Sequence, residues 1–168
     1  MFNLPVRSGV WKAAGAGALG TLLLVTLAYR LPATMVVEMG NAPLSALLTN
    51  DFHDVEESYR WTRGTSRMRF LDPGASPTAR VEILLAGFRP HSKPLPLLVI
   101  ESGNETLRRR PERRTELFEL ETRTEGVWSS TLEVSLRSNT FSPGAEDNRS
   151  LGVRVHEARL VLPNGSGP

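Results

Sequence analysis

Residues 131–137, TLEVSLR, decide the fold: Leu132, Val134 and Leu136 alternate with Glu133, Ser135 and Arg137. Successive residues of a strand point to opposite sides of a sheet, so a period of two marks one face against a core and the other against water. The pattern recurs on either side of this stretch. Residues 79–86, ARVEILLA, set Val81, Ile83 and Leu85 on one face before Gly87 closes the run. Residues 66–71 set Met68 and Phe70 against Arg67 and Arg69 and end in the turn residues Asp72-Pro73-Gly74. Residues 151–162 supply a long closing strand with Val153 and Val155 inward. Shorter runs predict strands at 34–39, 59–62, 97–101 and 115–121, with a hairpin turn at Ser102-Gly103-Asn104-Glu105. The basic stretch 107–114, LRRRPERR, carries Pro111 and belongs to a charge-protected edge or a loop. About eight or nine short strands, with no amphipathic helix among them, predict a mainly β domain: an antiparallel β-sandwich of jelly-roll type. Irregular spacing and the absence of an internal repeat disfavour a propeller or β-helix.

Residues 10–29, VWKAAGAGALGTLLLVTLAY, do not fit such a domain. No residue from 13 to 29 is charged, and about 20 apolar residues suffice to cross a hydrocarbon core of roughly 30 Å as a helix. The sequence therefore divides into a cytoplasmic leader at 1–9, a transmembrane signal anchor at 10–30, a β-sandwich at 31–162 and a flexible tail at 163–168. Arg7 and Lys12 before the apolar run keep the N-terminus cytoplasmic by the positive-inside rule. This gives a single-pass protein of the cell membrane, its partner the lipid bilayer through 10–30 and its C-terminal domain extracytoplasmic, although Arg30 pulls the other way. A cleaved secretory signal ending near Thr26-Leu27-Ala28 is the second reading. A helix buried in the soluble domain is disfavoured, because the run has no polar face.

The remaining chemistry is sparse. The chain has no cysteine, so disulfides, thiolate metal sites and a cysteine nucleophile are excluded. Net charge is +2, with acids interleaved among the arginines, which argues against nucleic acid. His53, His91 and His156 lack metal-ligand spacing, and no serine sits in a Gly-x-Ser-x-Gly elbow. No catalytic constellation, metal or cofactor is expected. Asp51, Asp54, Glu56 and Glu57 read as a solvated acidic loop. Trp61 and Trp128 are the candidates for stacking on a sugar, and Arg149 is a candidate ligand contact. Asp147 at the entry to the last strand can pair with an arginine or accept backbone N–H bonds, and Gly152 allows close backbone approach.

Several segments taken together carry a resemblance: Phe52-His53-Asp54-Val55-Glu56; Tyr59-Arg60-Trp61-Thr62; the apolar strand at 81–86 followed by Arg89-Pro90; Asn139-Thr140-Phe141-x-Pro143; and Asp147-x-Arg149-x-Leu151-Gly152-Val153. Over roughly residues 34–162 they resemble a membrane-tethered jelly-roll in the N-terminal regions of bacterial membrane glycosyltransferases. These belong to the dolichyl-phosphate-mannose-protein mannosyltransferase-like class of green non-sulfur bacteria. The resemblance implies a galactose-binding-like sandwich facing outward, with Arg60, Asp147 and Gly152 in its structural motif and a multi-spanning glycosyltransferase as a partner. None of that class's catalytic residues can be placed on this sequence. The expected function is a non-catalytic, membrane-anchored module on the cell-envelope side that binds glycan or an envelope protein. The alternative is a fragment or accessory subunit of a membrane glycosyltransferase that uses a lipid-linked sugar.

Overall fold

The computed structural model describes residues 17, 19–21, 34–41, 48–71, 77–124, 131–144 and 147–162. The chain forms two compact units, one of residues 1–32 with 164–168 and one of residues 33–163. In the first, Gly17, Leu19, Gly20 and Thr21 are helical, and the Thr21 hydroxyl donates to the Gly17 carbonyl at 2.9 Å. The rest of the transmembrane segment expected at 10–30 lies outside the described residues. Among the described residues no helix is long and apolar enough to cross a membrane.

The second unit is built from antiparallel strands: β1 (Thr34–Glu38), β2 (Thr49–Phe52), β3 (Arg60–Leu71), β4 (Thr78–Ala86), β5 (Leu98–Ser102), β6 (Glu105–Arg109), β7 (Thr115–Arg123), β8 (Thr131–Ser138) and β9 (Arg154–Val161). One sheet has the order β1-β9-β4-β7 and the other β2-β3-β8-β5-β6. Their inner rows merge into one core. Met68, Phe70, Val134, Leu136, Leu98 and Ile100 come from the second sheet, and Val81, Ile83, Leu85, Val155, Ala158 and Leu160 from the first. Each fully buried aliphatic or aromatic side chain contributes about 1.5–3 kcal/mol relative to exposure, so this core fixes the register of the strands that supply it, while the edge strand β6 meets it only through the half-buried Leu107. The 131–137 alternation becomes β8, with Leu132, Val134 and Leu136 buried and Glu133 and Arg137 exposed.

Three boundaries differ from the sequence reading. The expected strands 59–62 and 66–71 are one strand, β3, which serves both sheets. Its first residues Arg60 and Trp61 pair with β9, and from Thr65 onward it pairs with β8. The change of partner falls at Gly64, whose φ of 102° suits glycine. The basic stretch is strand as far as Arg109, as the edge strand β6, and leaves the sheet before Pro111. β5 and β6 join through Gly103 at φ 55°, the sign that a two-residue type II′ turn requires at its first position. The closing strand starts at Arg154 rather than Leu151. Leu151 instead bridges Phe141, and a bulge between the partners of Leu84 and Leu85 leaves His156 unpaired in the β4–β9 ladder.

Candidate functional site

At one end of the sandwich the loops before β3, after β4 and before β9 meet, and the segments singled out in the sequence meet with them. Glu56 is the hub. Its Oε2 accepts from the Tyr59 hydroxyl at 3.1 Å and from Trp61 Nε1 at 3.3 Å, and its Oε1 accepts from Arg149 Nη1. Burial raises the Glu56 pKa, but the bonds from Arg149, Tyr59 and Trp61 together lower it. The expected solvated loop is thus half-buried at Glu56, because three donors replace the water it gives up. Arg149 also grips Asp147, with Nε at 2.9 and 3.0 Å from the two carboxylate oxygens and Nη2 at 2.7 Å from Oδ2. The Arg149 backbone N–H adds a bond to Oδ1 at 3.0 Å. With two carboxylates on its guanidinium, Arg149 already holds the partners that a ligand would need to supply.

Hydrogen bonds from the Arg149 side chain and backbone hold Asp147 down from 3.8 to about 2. A carboxyl whose folded pKa lies below its unfolded one adds stability above the unfolded value and loses it as pH falls through the folded one. Between about pH 4 and pH 2 the wild type is therefore expected to lose a stability increment that Asp147→Asn lacks. Urea midpoints of the two proteins measured across that window check this, and parallel pH profiles would refute it.

Trp61 belongs to a small aromatic cluster with Phe141 and Leu151, and Tyr59 packs against it. It meets Tyr59 and Phe141 edge-on, with centroids 6.1 and 5.8 Å away. The Arg154 guanidinium lies 4.7 Å from the Trp61 centroid, 4.7 Å from that of Tyr59 and 3.8 Å from that of Phe88. Trp61 is 3% exposed, so the expected sugar platform is corrected to an internal wedge: the Arg154 cation and the rings of Tyr59, Phe88 and Phe141 surround it. Trp128 lies outside the described residues. Arg60 donates from Nη1 to the Thr49 hydroxyl at 3.2 Å. The Gly152 N–H donates to the Thr62 carbonyl at 2.8 Å, and the Thr62 hydroxyl accepts from the Val153 N–H at 2.9 Å. His53 Nε2 donates to the Ser150 carbonyl at 3.0 Å. Among the described residues no group of three His, Cys, Asp or Glu could hold a metal.

The buried Arg89 carries this buttress over to the sheet. Its Nη2 donates to the Asn139 carbonyl, its guanidinium lies 5.2 Å from the Phe141 centroid, and burial lowers its pKa. Asn139 is thereby fixed at the end of β8, where its Oδ1 accepts the Leu97 N–H at 2.8 Å. A carbonyl oxygen must be the atom facing that N–H, so it is the Asn139 amide nitrogen that makes no hydrogen bond among the described residues. Beside it a shallow, open groove of about 490 Å³ lies at one end of the outer face of the second sheet. Leu97, 44% exposed, and the half-buried Val99 form an apolar floor. Arg63, Thr65, Arg137 and Asn139 line it with polar groups. The sequence reading missed this groove.

Fold and sites together define an antiparallel β-sandwich module with a groove on one outer face. No family model matches the sequence, and no curated protein matches it. Among solved structures it is similar to the C-terminal CBM6 of LamC, a marine laminarinase from Zobellia galactanivorans, at 13% identity, TM-score 0.45, over 76% of this chain and 98% of that one. It is also similar to TmCBM61, solved in complex with β-1,4-galactotriose, at 8% identity, TM-score 0.33, over 77% and 83% of the two chains. A third similar structure is BtGH115A, a 4-O-methyl-α-glucuronidase with specificity for decorated arabinogalactans. There the identity is 10% and the TM-score 0.42, over 62% of this chain and 14% of that one. Two of the three are carbohydrate-binding modules.

Proposed function

We propose that this chain is a non-catalytic module that binds glycan in the groove on its second sheet, and that the apolar stretch 10–30 holds it at the outer side of a cell membrane. The observation that carries the binding reading is the lining of the groove. A sugar ring has an apolar C–H face and a rim of hydroxyls; Leu97 and Val99 match the first, while Arg63, Thr65, Arg137 and Asn139 offer donors and acceptors to the second. The groove sits on hydrogen-bonded strands and on a loop end fixed by Arg89, so the backbone that carries its lining is held by the sheet. The placement reading rests on the uncharged run from 13 to 29 and on Arg7 and Lys12 before it.

The full-length protein, purified in a mild detergent, is expected to bind a subset of glycans on an array. Leu97→Asp, which puts a charge on the apolar floor, is expected to weaken that binding about tenfold. An array with no bound glycan, or an unchanged profile for Leu97→Asp, would overturn the reading. In the same preparation's source cells, protease added to intact spheroplasts is expected to cleave the sandwich; full protection would contradict the outward placement.

A further inference from the structure

The two outer faces of the sandwich differ in charge. On the second sheet the outward rows carry Arg63, Arg67 and Arg69 from β3, Arg137 from β8 and Arg108 from β6, against Glu101 and Glu133, with the exposed Asp51 at the bulge of the edge strand β2 as the one further acid among the described residues of this face. On the first sheet they carry Glu38, Glu82, Glu119, Glu121 and Glu157 against Arg80, Arg123 and Arg159. The net charge of +2 thus conceals a basic face and an acidic one.

Not all of the basic face is neutralised from within. Glu133 is shared between Arg67 and Arg69, each at 3.4 Å, and Glu101 holds Arg137. Arg63 and Arg108 form no ion pair among the described residues. Arg63 lines the groove, and Arg108 stands opposite Val99 in the row that also contains Arg137. The apolar floor is therefore flanked by guanidiniums with free donors, the geometry that recognises planar oxyanions by paired hydrogen bonds.

We propose that the glycan bound by this groove is acidic, carrying carboxylate or phosphate groups that meet Arg63 and Arg108 while its sugar rings lie on Leu97 and Val99. This rests on the glycan-binding reading and narrows it to a charge class. Exposed charges are screened by salt, so affinity falls as ionic strength rises.

The test compares four polymers of matched length on the full-length protein: polygalacturonate, its methyl-esterified form, a phosphate-bearing mannan and inorganic polyphosphate. Tighter binding of polygalacturonate or the phosphate-bearing mannan than of the ester, by about tenfold or more, is the expected result, and the better of the two identifies the anion. Arg63→Gln and Arg108→Gln should each weaken binding of that polymer by about tenfold. Glu101→Gln, which releases Arg137, should strengthen it, an outcome that misfolding does not produce. Arg159→Gln, on the opposite face, should leave it unchanged. Equal binding of the charged and esterified polymers overturns the charge class and leaves glycan binding standing. Binding of no sugar polymer, charged or neutral, here or on the array, overturns glycan binding itself. Inorganic polyphosphate binding as tightly as the best glycan, or Arg159→Gln weakening binding as much as Arg63→Gln, shows a response to net charge and overturns the proposal.

Discussion

Trp61→Ala is expected to lower the unfolding free energy by about 3–5 kcal/mol, the range for truncating a buried aromatic. The ring is 3% exposed and lies among Tyr59, Phe88, Phe141 and the Arg154 guanidinium, so its removal leaves a cavity that several rigid groups surround. It also deletes the Nε1 donor to Glu56 and uncovers one face of a cation that has no ion pair among the described residues. Trp61→Phe separates these effects, since it keeps most of the volume and loses the donor. Urea unfolding of the three proteins measures them. A change in midpoint for Trp61→Ala corresponding to less than about 1 kcal/mol would mean that the ring is not the wedge described here. Loss of glycan binding by Trp61→Ala therefore has to be read beside its stability, because a collapsed buttress releases Asn139 as well.

Gly152→Ala is expected to cost about 1–3 kcal/mol through overpacking. A Cβ built there overlaps the Thr62 hydroxyl and comes within 2.5 Å of the Ser138 hydroxyl and 3.1 Å of the Thr62 carbonyl. Thr62 cannot simply rotate away, because its hydroxyl is the acceptor for the buried Val153 N–H. A side-chain rearrangement that avoids the overlap leaves that donor without a partner, which is itself costly. Gly144, whose Cβ would meet nothing within 4 Å, provides the control. Equal urea midpoints for Gly152→Ala and Gly144→Ala would show that the loop yields at no cost.

β4 and β8 were legible because each has one face in the core and one in water, the condition under which alternation marks a strand. β3 was divided wrongly for a physical reason. Its buried positions include Thr62 and Ser66, polar residues that break the apolar rhythm and are satisfied inside by Val153, Arg63 and Asp51. Asp147 and Arg149 stand two residues apart, and a local ion pair could be read from that spacing. Glu56 could not be read as its third member, since Arg149 lies 93 residues away and only the fold joins them. Trp61 was misjudged because an aromatic beside a loop looks the same in sequence whether Arg154 covers it or a ligand does. The groove was hidden similarly: Leu97 and Asn139 are 42 residues apart. The sorting of charge between faces also depends on strand register, which composition does not contain.

The position of β9 has a consequence for how the chain comes into being. It is the last of the described strands in chain order, yet it lies between β1 and β4 and also takes the first residues of β3. Until residues 154–161 have emerged, the earliest strand and the fourth lack the neighbour that both pair with. The first sheet cannot grow outward from a finished N-terminal half; it is assembled around its final piece. Such long-range closure is slow relative to local folding, and it leaves the first sheet incomplete until β9 has been made, while the pairings of the second sheet need no residue of β9.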